Sequence, residues 1–157
     1  MEVRLKRLTN DAVIPQRMTE GSAGFDMTAT RMEYDSILDC YIYHTDIAVE
    51  IPKGYVGLAF PRSSNRKTEA YLTNSVGVID SDYRGEIMFC YKLRTSAKIN
   101  KDISAIEREW YGTGAPYSKG DRIGQLVIVP CPDITLVETN ILSNTERGQE
   151  GYGSTGR

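Results

Sequence analysis

Apolar residues recur at every second position along most of this chain, in short runs separated by turn residues. Ile47, Val49 and Ile51 fall on one face of an extended segment, and Pro52-Lys53-Gly54 follows as a turn signal. Tyr55-Val56-Gly57-Leu58-Ala59-Phe60 reads as the next strand. Residues 86–93 form another, with Ile87, Phe89 and Tyr91 on one face and Met88, Cys90 and Lys92 on the other. Residues 123–129 are nearly all apolar, which predicts a buried strand ending at Pro130, and residues 134–137 read as a last short one. Many short strands of this kind predict an all-β sandwich or barrel. Two stretches depart from the pattern. Residues 65–71, after Arg62-Ser63-Ser64, and residues 102–110, where Ile103, Ile106 and Trp110 share a face, each predict a short helix. The 157 residues suit a single domain.

Charge narrows the function. Nineteen Lys and Arg against 21 Asp and Glu give a net charge of -2, which disfavours a polynucleotide partner and leaves room for a small anion. No apolar run approaches a membrane span, and Met1-Glu2-Val3-Arg4 leads into no apolar stretch, so neither a membrane nor a secretory signal is expected. Cys40, Cys90 and Cys131 are odd in number and far apart, with no C-x-x-C, which favours a reducing compartment, the cytoplasm (of a host, if the source is viral). His44 is the only histidine and reads as a strand or loop residue without a chemical role.

Five segments could carry chemistry. Gly77-Val78-Ile79-Asp80-Ser81-Asp82-Tyr83-Arg84-Gly85-Glu86 reads as a strand end, a tight turn and a return strand. One carboxylate there could be a general base while the other fixes the loop, or both could belong to an ordinary Asp-rich hairpin. Phe60-Pro61-Arg62-Ser63-Ser64 offers a guanidinium fork and hydroxyls to an anion, or an ordinary serine cap. In Lys119-Gly120-Asp121-Arg122-Ile123-Gly124-Gln125-Leu126, Gln125 either pairs with backbone in the core or faces a pocket. Ala23-Gly24-Phe25-Asp26-Met27 is an early strand with one acid. The tail from Arg147 carries Gly148, Gly151, Gly153 and Gly156 with one aromatic, Tyr152; it is either a disordered terminus or an arm that folds over a nucleotide.

Taken in order, these segments resemble the five motifs of the trimeric dUTP diphosphatase (dUTPase) family: A-G-[YFL]-D-L, [PG]-R-S-[SG], G-[VL]-I-D-x-D-Y-R/Q-G, G-D-R-I-A-Q and R-G-x-G-G-F-G-S-T-G. The resemblance spans residues 23–156. It implies an all-β, distorted jelly-roll or β-barrel fold with one or two short helices and a mobile C-terminal arm. The β body would cover residues 1–142 and the arm 143–157. Three copies would form a homotrimer with shared active sites, each closed by a neighbour's arm. The reaction would convert dUTP and water to dUMP and pyrophosphate, with Mg2+ on the triphosphate, supplying dUMP for dTMP synthesis and limiting uracil in DNA.

The same resemblance assigns residues. Asp80 matches the general base that activates water, and Tyr83 the platform under deoxyribose that rejects a 2′-hydroxyl. Asn74, the backbone of Gly77, Val78 and Ile79, and Met88 across the hairpin would read uracil. Arg62, Ser63, Ser64 and Gln125 match phosphate contacts; Arg147 would bind the terminal phosphate, and Tyr152, with Gly153, would close on the base. No residue would bind the metal directly, though Asp26 would approach its water shell. Three features depart from the family: Tyr152 replaces a phenylalanine, Glu150 replaces a glycine, and an insert of residues 94–117 lengthens one connection. That insert reads as a surface excursion or as a site for a protein partner. Two other functions remain open at this level: a dCTP deaminase-like enzyme of the same fold, and a nucleotide-sensing or protein-binding regulator that uses the insert.

Overall fold

The computed structural model describes residues 1–94 and 115–151. Among these residues ten strands and one short helix are formed: β1 Arg4–Arg7, β2 Phe25–Thr28, β3 Arg31–Asp35, β4 Cys40–His44, β5 Ile47–Glu50, β6 Tyr55–Pro61, a 3₁₀ helix Ser63–Lys67, β7 Ala70–Leu72, β8 Gly77–Ile79, β9 Met88–Leu93 and β10 Arg122–Pro130. Every pairing is antiparallel. One sheet has the order β2-β10-β6-β8, a second β3-β4-β9-β7, and β1 pairs with β5. Inward side chains of both four-stranded sheets meet in one core that includes Met27, Tyr43, Ala59, Leu72, Phe89, Tyr91, Ile123 and Leu126, the all-β architecture the alternation predicts in the jelly-roll-like form the family resemblance implies.

Alternation is obeyed where it was clearest. Ile87, Phe89 and Tyr91 are buried, whereas Met88 is exposed and Cys90 and Lys92 are half-buried. The interior is unusually rich in tyrosine: the Tyr43, Tyr91 and Tyr117 rings meet edge to face, with centroids 5.2–6.0 Å apart. Each hydroxyl is satisfied, Tyr43 by the Tyr117 carbonyl, Tyr91 by the Ile123 carbonyl and Tyr117 by Asn65 Oδ1. Burial pushes the Tyr43 phenol up to about 12 and raises Tyr91 and Tyr117 as well.

Three expectations change. The helix predicted over 65–71 is instead a 3₁₀ turn at Ser63–Lys67 followed by β7, because Asn65 and Thr68 spend their side chains on local backbone and on each other. Its cap position is Arg62, with no side-chain capping bond. The hairpin expected over 77–86 is not one: β8 pairs with β6 and β9 with β4 and β7, so residues 80–87 cross from one sheet to the other. Residues 134–137 form no strand; they pair with no strand among the described residues, and Ile134, Leu136 and Val137 are all exposed. The helix expected over 102–110, most of the 94–117 insert, Tyr152 and Gly153 lie outside the described residues.

Candidate functional site

β8 is an edge strand, so the backbone groups on its outer side have no ladder partner in its sheet. Gly77, Val78 and Ile79 lie on it, paired on the inner side with Ala59, Leu58 and Gly57. Asn74 sits beside Gly77, its amide against the space a side chain there would fill. Beyond β8 the chain turns, with the Tyr83 N–H donating to the Asp80 carbonyl at 3.1 Å. The hydroxyl end of Tyr83 covers Gly85: a Cβ at that glycine would come within 2.3 Å of the phenolic oxygen. The Tyr83 hydroxyl donates to the Glu86 carbonyl at 3.0 Å. Arg84 braces the same loop through the Ser81 and Tyr83 carbonyls. Met88 opens β9, and the ladder to β7 begins only at Tyr91, so Met88 lies beyond its end.

Asp80 is exposed and stands on a groove of about 1170 Å3. Its charged lining is Glu2, Glu50, Asp80, Asp82 and Asp133 against Arg4, Lys53 and Arg84. The balance is acidic. A triphosphate in this groove needs cations from elsewhere.

Those cations are on a second patch. Asp26 on β2 accepts from Arg62 Nε at 3.0 Å through Oδ1 and from Arg122 Nη1 at 3.0 Å through Oδ2. The carboxylate is nearly buried, so the pair of charge-assisted bonds fixes both guanidiniums. Arg62 also donates to the Ser64 hydroxyl at 3.3 Å, and Ser63 begins the same 3₁₀ turn. Gln125, directly across the ladder from Asp26, donates to the Pro61 carbonyl at 3.3 Å. It thus bonds backbone and borders the charged cluster at once. Arg122 was not singled out by sequence, although it lies within the fourth motif. A bulge between Arg122 and Gly124 explains its placement: Ile123 goes fully into the core while Arg122 turns to the Asp26 face. Period-two reasoning cannot foresee such a bulge.

The two patches are separate. Asp26, Gln125 and Phe60 are in line across the sheet, and Ile79 is opposite Gly57. Three strand spacings and four residues of strand length put Asp80 roughly 20 Å from Asp26. Arg147 is on neither: its Nε donates to the Glu150 carbonyl at 3.1 Å, and the exposed residues 145–150 curl on themselves. Among the described residues, no three His, Cys, Asp or Glu side chains converge as a metal cage. The second patch offers two guanidiniums, hydroxyls, an amide and a single carboxylate, a set that fits phosphate oxygens and the waters of a metal they carry.

Comparison with known proteins gives a consistent result. The dUTPase family model matches residues 10–104 and 115–156. The deoxyuridine 5'-triphosphate nucleotidohydrolase of Corynebacterium efficiens is 36% identical over 156 residues, covering 99% of this chain and 78% of its own. The dUTPase of Staphylococcus bacteriophage 80alpha with bound dUPNHPP superposes with a TM-score of 0.78 at 29% identity over 99% of both chains. A mutant dUTPase from phage phi11 of S. aureus, described for its coordination of a structural Mg(II) ion, superposes with a TM-score of 0.66 at 25% identity over 90% of this chain and 98% of its own.

Proposed function

This chain belongs to the dUTPase family and is a dUTP diphosphatase that hydrolyses dUTP, and we propose that it does so with a site assembled from separate patches of neighbouring copies. The observation that supports this reading is the roughly 20 Å between Asp80 and the Asp26 cluster, longer than a triphosphate can bridge. Within one chain, the three cations of the groove holding Asp80 are outnumbered by its five carboxylates, so it carries no surplus positive charge for three phosphates. A second copy that docks its Arg62–Arg122 cluster on this groove supplies them. In a closed ring of three, each interface builds one such site, and the arm from Arg147 through Tyr152 and Gly153 closes it.

In this arrangement the outer edge of β8, at Gly77, Val78 and Ile79, with Asn74 and Met88, pairs with the uracil edge. Cytosine presents the opposite donor and acceptor pattern and leaves those groups unpaired. Tyr83 lies under the sugar and fills the space a 2′-hydroxyl needs. Asp80 accepts a proton from the water that attacks the α-phosphorus in line. Arg62, Arg122, Ser63, Ser64 and Gln125 hold the phosphates, so the chemistry depends on position and charge more than on covalent steps. Mg2+, when bound, supplies neutralisation of the phosphate oxygens, and Asp26 would meet it through a metal-bound water.

The test is pyrophosphate release with Mg2+ from dUTP, dTTP and UTP. Strong turnover of dUTP alone is expected. Asp80→Asn retains dUTP binding and lowers kcat by about 10²–10⁴-fold; full activity in that variant removes Asp80 from the role of base.

A further inference from the structure

Residues 80–87 carry both Asp80 and Tyr83 but belong to neither sheet. Something other than a ladder must fix their height over the groove. The far end is stapled at Ile87, whose N–H donates to the Ile47 carbonyl at 2.9 Å and whose carbonyl accepts from the Thr45 hydroxyl at 2.6 Å. The residue before it, Glu86, is held on three sides. Its Oε1 accepts from the Asp46 N–H at 2.7 Å, its Oε2 accepts from His44 Nδ1 at 2.9 Å, and Arg31 Nη2 lies 3.7 Å from Oε2. Both partners are largely out of water, with side-chain exposures of 15% for Glu86 and 9% for His44. His44 Nε2 is buried and makes no hydrogen bond, although Glu33 Oε1 lies 3.5 Å from it, so the hydrogen bond that fixes the ring is the one to Glu86.

Glu86 points two ways. Its carboxylate is locked to the β4–β5 connection, and its carbonyl receives the Tyr83 hydroxyl. Tyr83 is half exposed and bonds nothing else by that hydroxyl in its own loop except this carbonyl. A carboxylate with two short charge-assisted or backbone bonds is worth more, and is more rigid, than one in water. The position of the Tyr83 ring is therefore inherited from a residue that faces away from the groove.

We propose that Glu86, held by His44 and Asp46, is a positioning residue for Tyr83, and that this tether sets how strictly the enzyme rejects a ribose. The proposal rests on the reading of Tyr83 as the sugar platform. A ring fixed to within a fraction of an ångström excludes a hydroxyl; a ring free to tilt admits one.

The test is the ratio of kcat/KM for dUTP to that for UTP. Both values come from one preparation, so loss of folded protein cancels. In Glu86→Ala the ratio falls about tenfold, a drift that ångström-scale misplacement readily produces. His44→Ala shifts it the same way by about threefold, and Glu86→Gln, which keeps the acceptor for the Asp46 N–H, holds it within about twofold of wild type. Adding Tyr83→Phe to Glu86→Ala lowers the ratio no further than either change alone, because both cut one tether. An unchanged ratio in Glu86→Ala and His44→Ala overturns the proposal. A wild-type enzyme that turns over dUTP but does not discriminate against UTP overturns instead the reading of Tyr83.

Discussion

Gly124→Ala tests how closely the core fixes the strand that carries Gln125. A Cβ on Gly124 would lie 2.1 Å from Phe89 Cε1 and 2.4 Å from Cζ, and Phe89 is fully buried. Ordinary contact begins near 3.4 Å, so the ring or the strand must give by about 1.3 Å. Overpacking of this kind costs about 1–3 kcal/mol. An overlap of this size belongs in the upper part of that range, about 2–3 kcal/mol, and replacing glycine within a strand returns about 0.5–1 kcal/mol through the unfolded chain, leaving a net loss of roughly 1–2.5 kcal/mol. Phe89→Leu alone leaves a partial void and costs a similar amount, about 1–2 kcal/mol. Together the two changes are complementary, since the new methyl occupies what the ring vacates. Their combined loss should be smaller than the sum by about 1 kcal/mol or more. Equilibrium urea unfolding of the four proteins, at one protein concentration because the proposed assembly would contribute to apparent stability, measures this coupling. Strict additivity, or a neutral Gly124→Ala, refutes the packing described for β9 against β10.

Asp26→Asn removes the anion between Arg62 and Arg122; kcat/KM for dUTP should fall by about 10–100-fold, chiefly through KM, with circular dichroism unchanged. The hydroxyls of Thr30 and Thr9 hold the Asp46 carboxyl below its usual value of 3.8. Its contribution to stability is therefore complete above that usual value and lost as pH falls through the lower folded value. Acid titration of urea stability should show wild type losing more than Asp46→Asn below about pH 4. Truncation after Asn144 removes Arg147 and everything beyond; turnover of dUTP should drop about 100-fold or more while the body keeps its β spectrum.

The strands were legible because burial on one face leaves a period of two, which β6 and β9 follow closely, while β10 was legible from its apolar run. The site residues were legible as motifs, since chemistry ties residue type to local spacing. Partnership between distant segments was not. Turn signals at Asp80 and Asp82 announce a reversal but not which sheet receives the chain, so a crossing looked like a hairpin. The bulge that aims Arg122 at Asp26 and the tether from His44 to Glu86 are long-range facts, 96 and 42 residues apart in sequence. Residues 134–137 show the converse: a strand pattern forms a strand only where an edge is available to pair with it.

The distance between Asp80 and the Asp26 cluster has a consequence for mixtures. Two inactive proteins, Asp80→Asn and Arg62→Ala, each retain the half the other lacks. If they are unfolded together and reassembled in equal amounts, the proposed arrangement has a site draw its groove from one chain and its arginines from another. Random association then makes about a quarter of the sites whole. Activity should appear on mixing two dead preparations and approach about one quarter of wild type. In a cell carrying both alleles, each defect would be partly hidden by the other, whereas a single defective allele beside a normal one would disable one site per defective copy and no more.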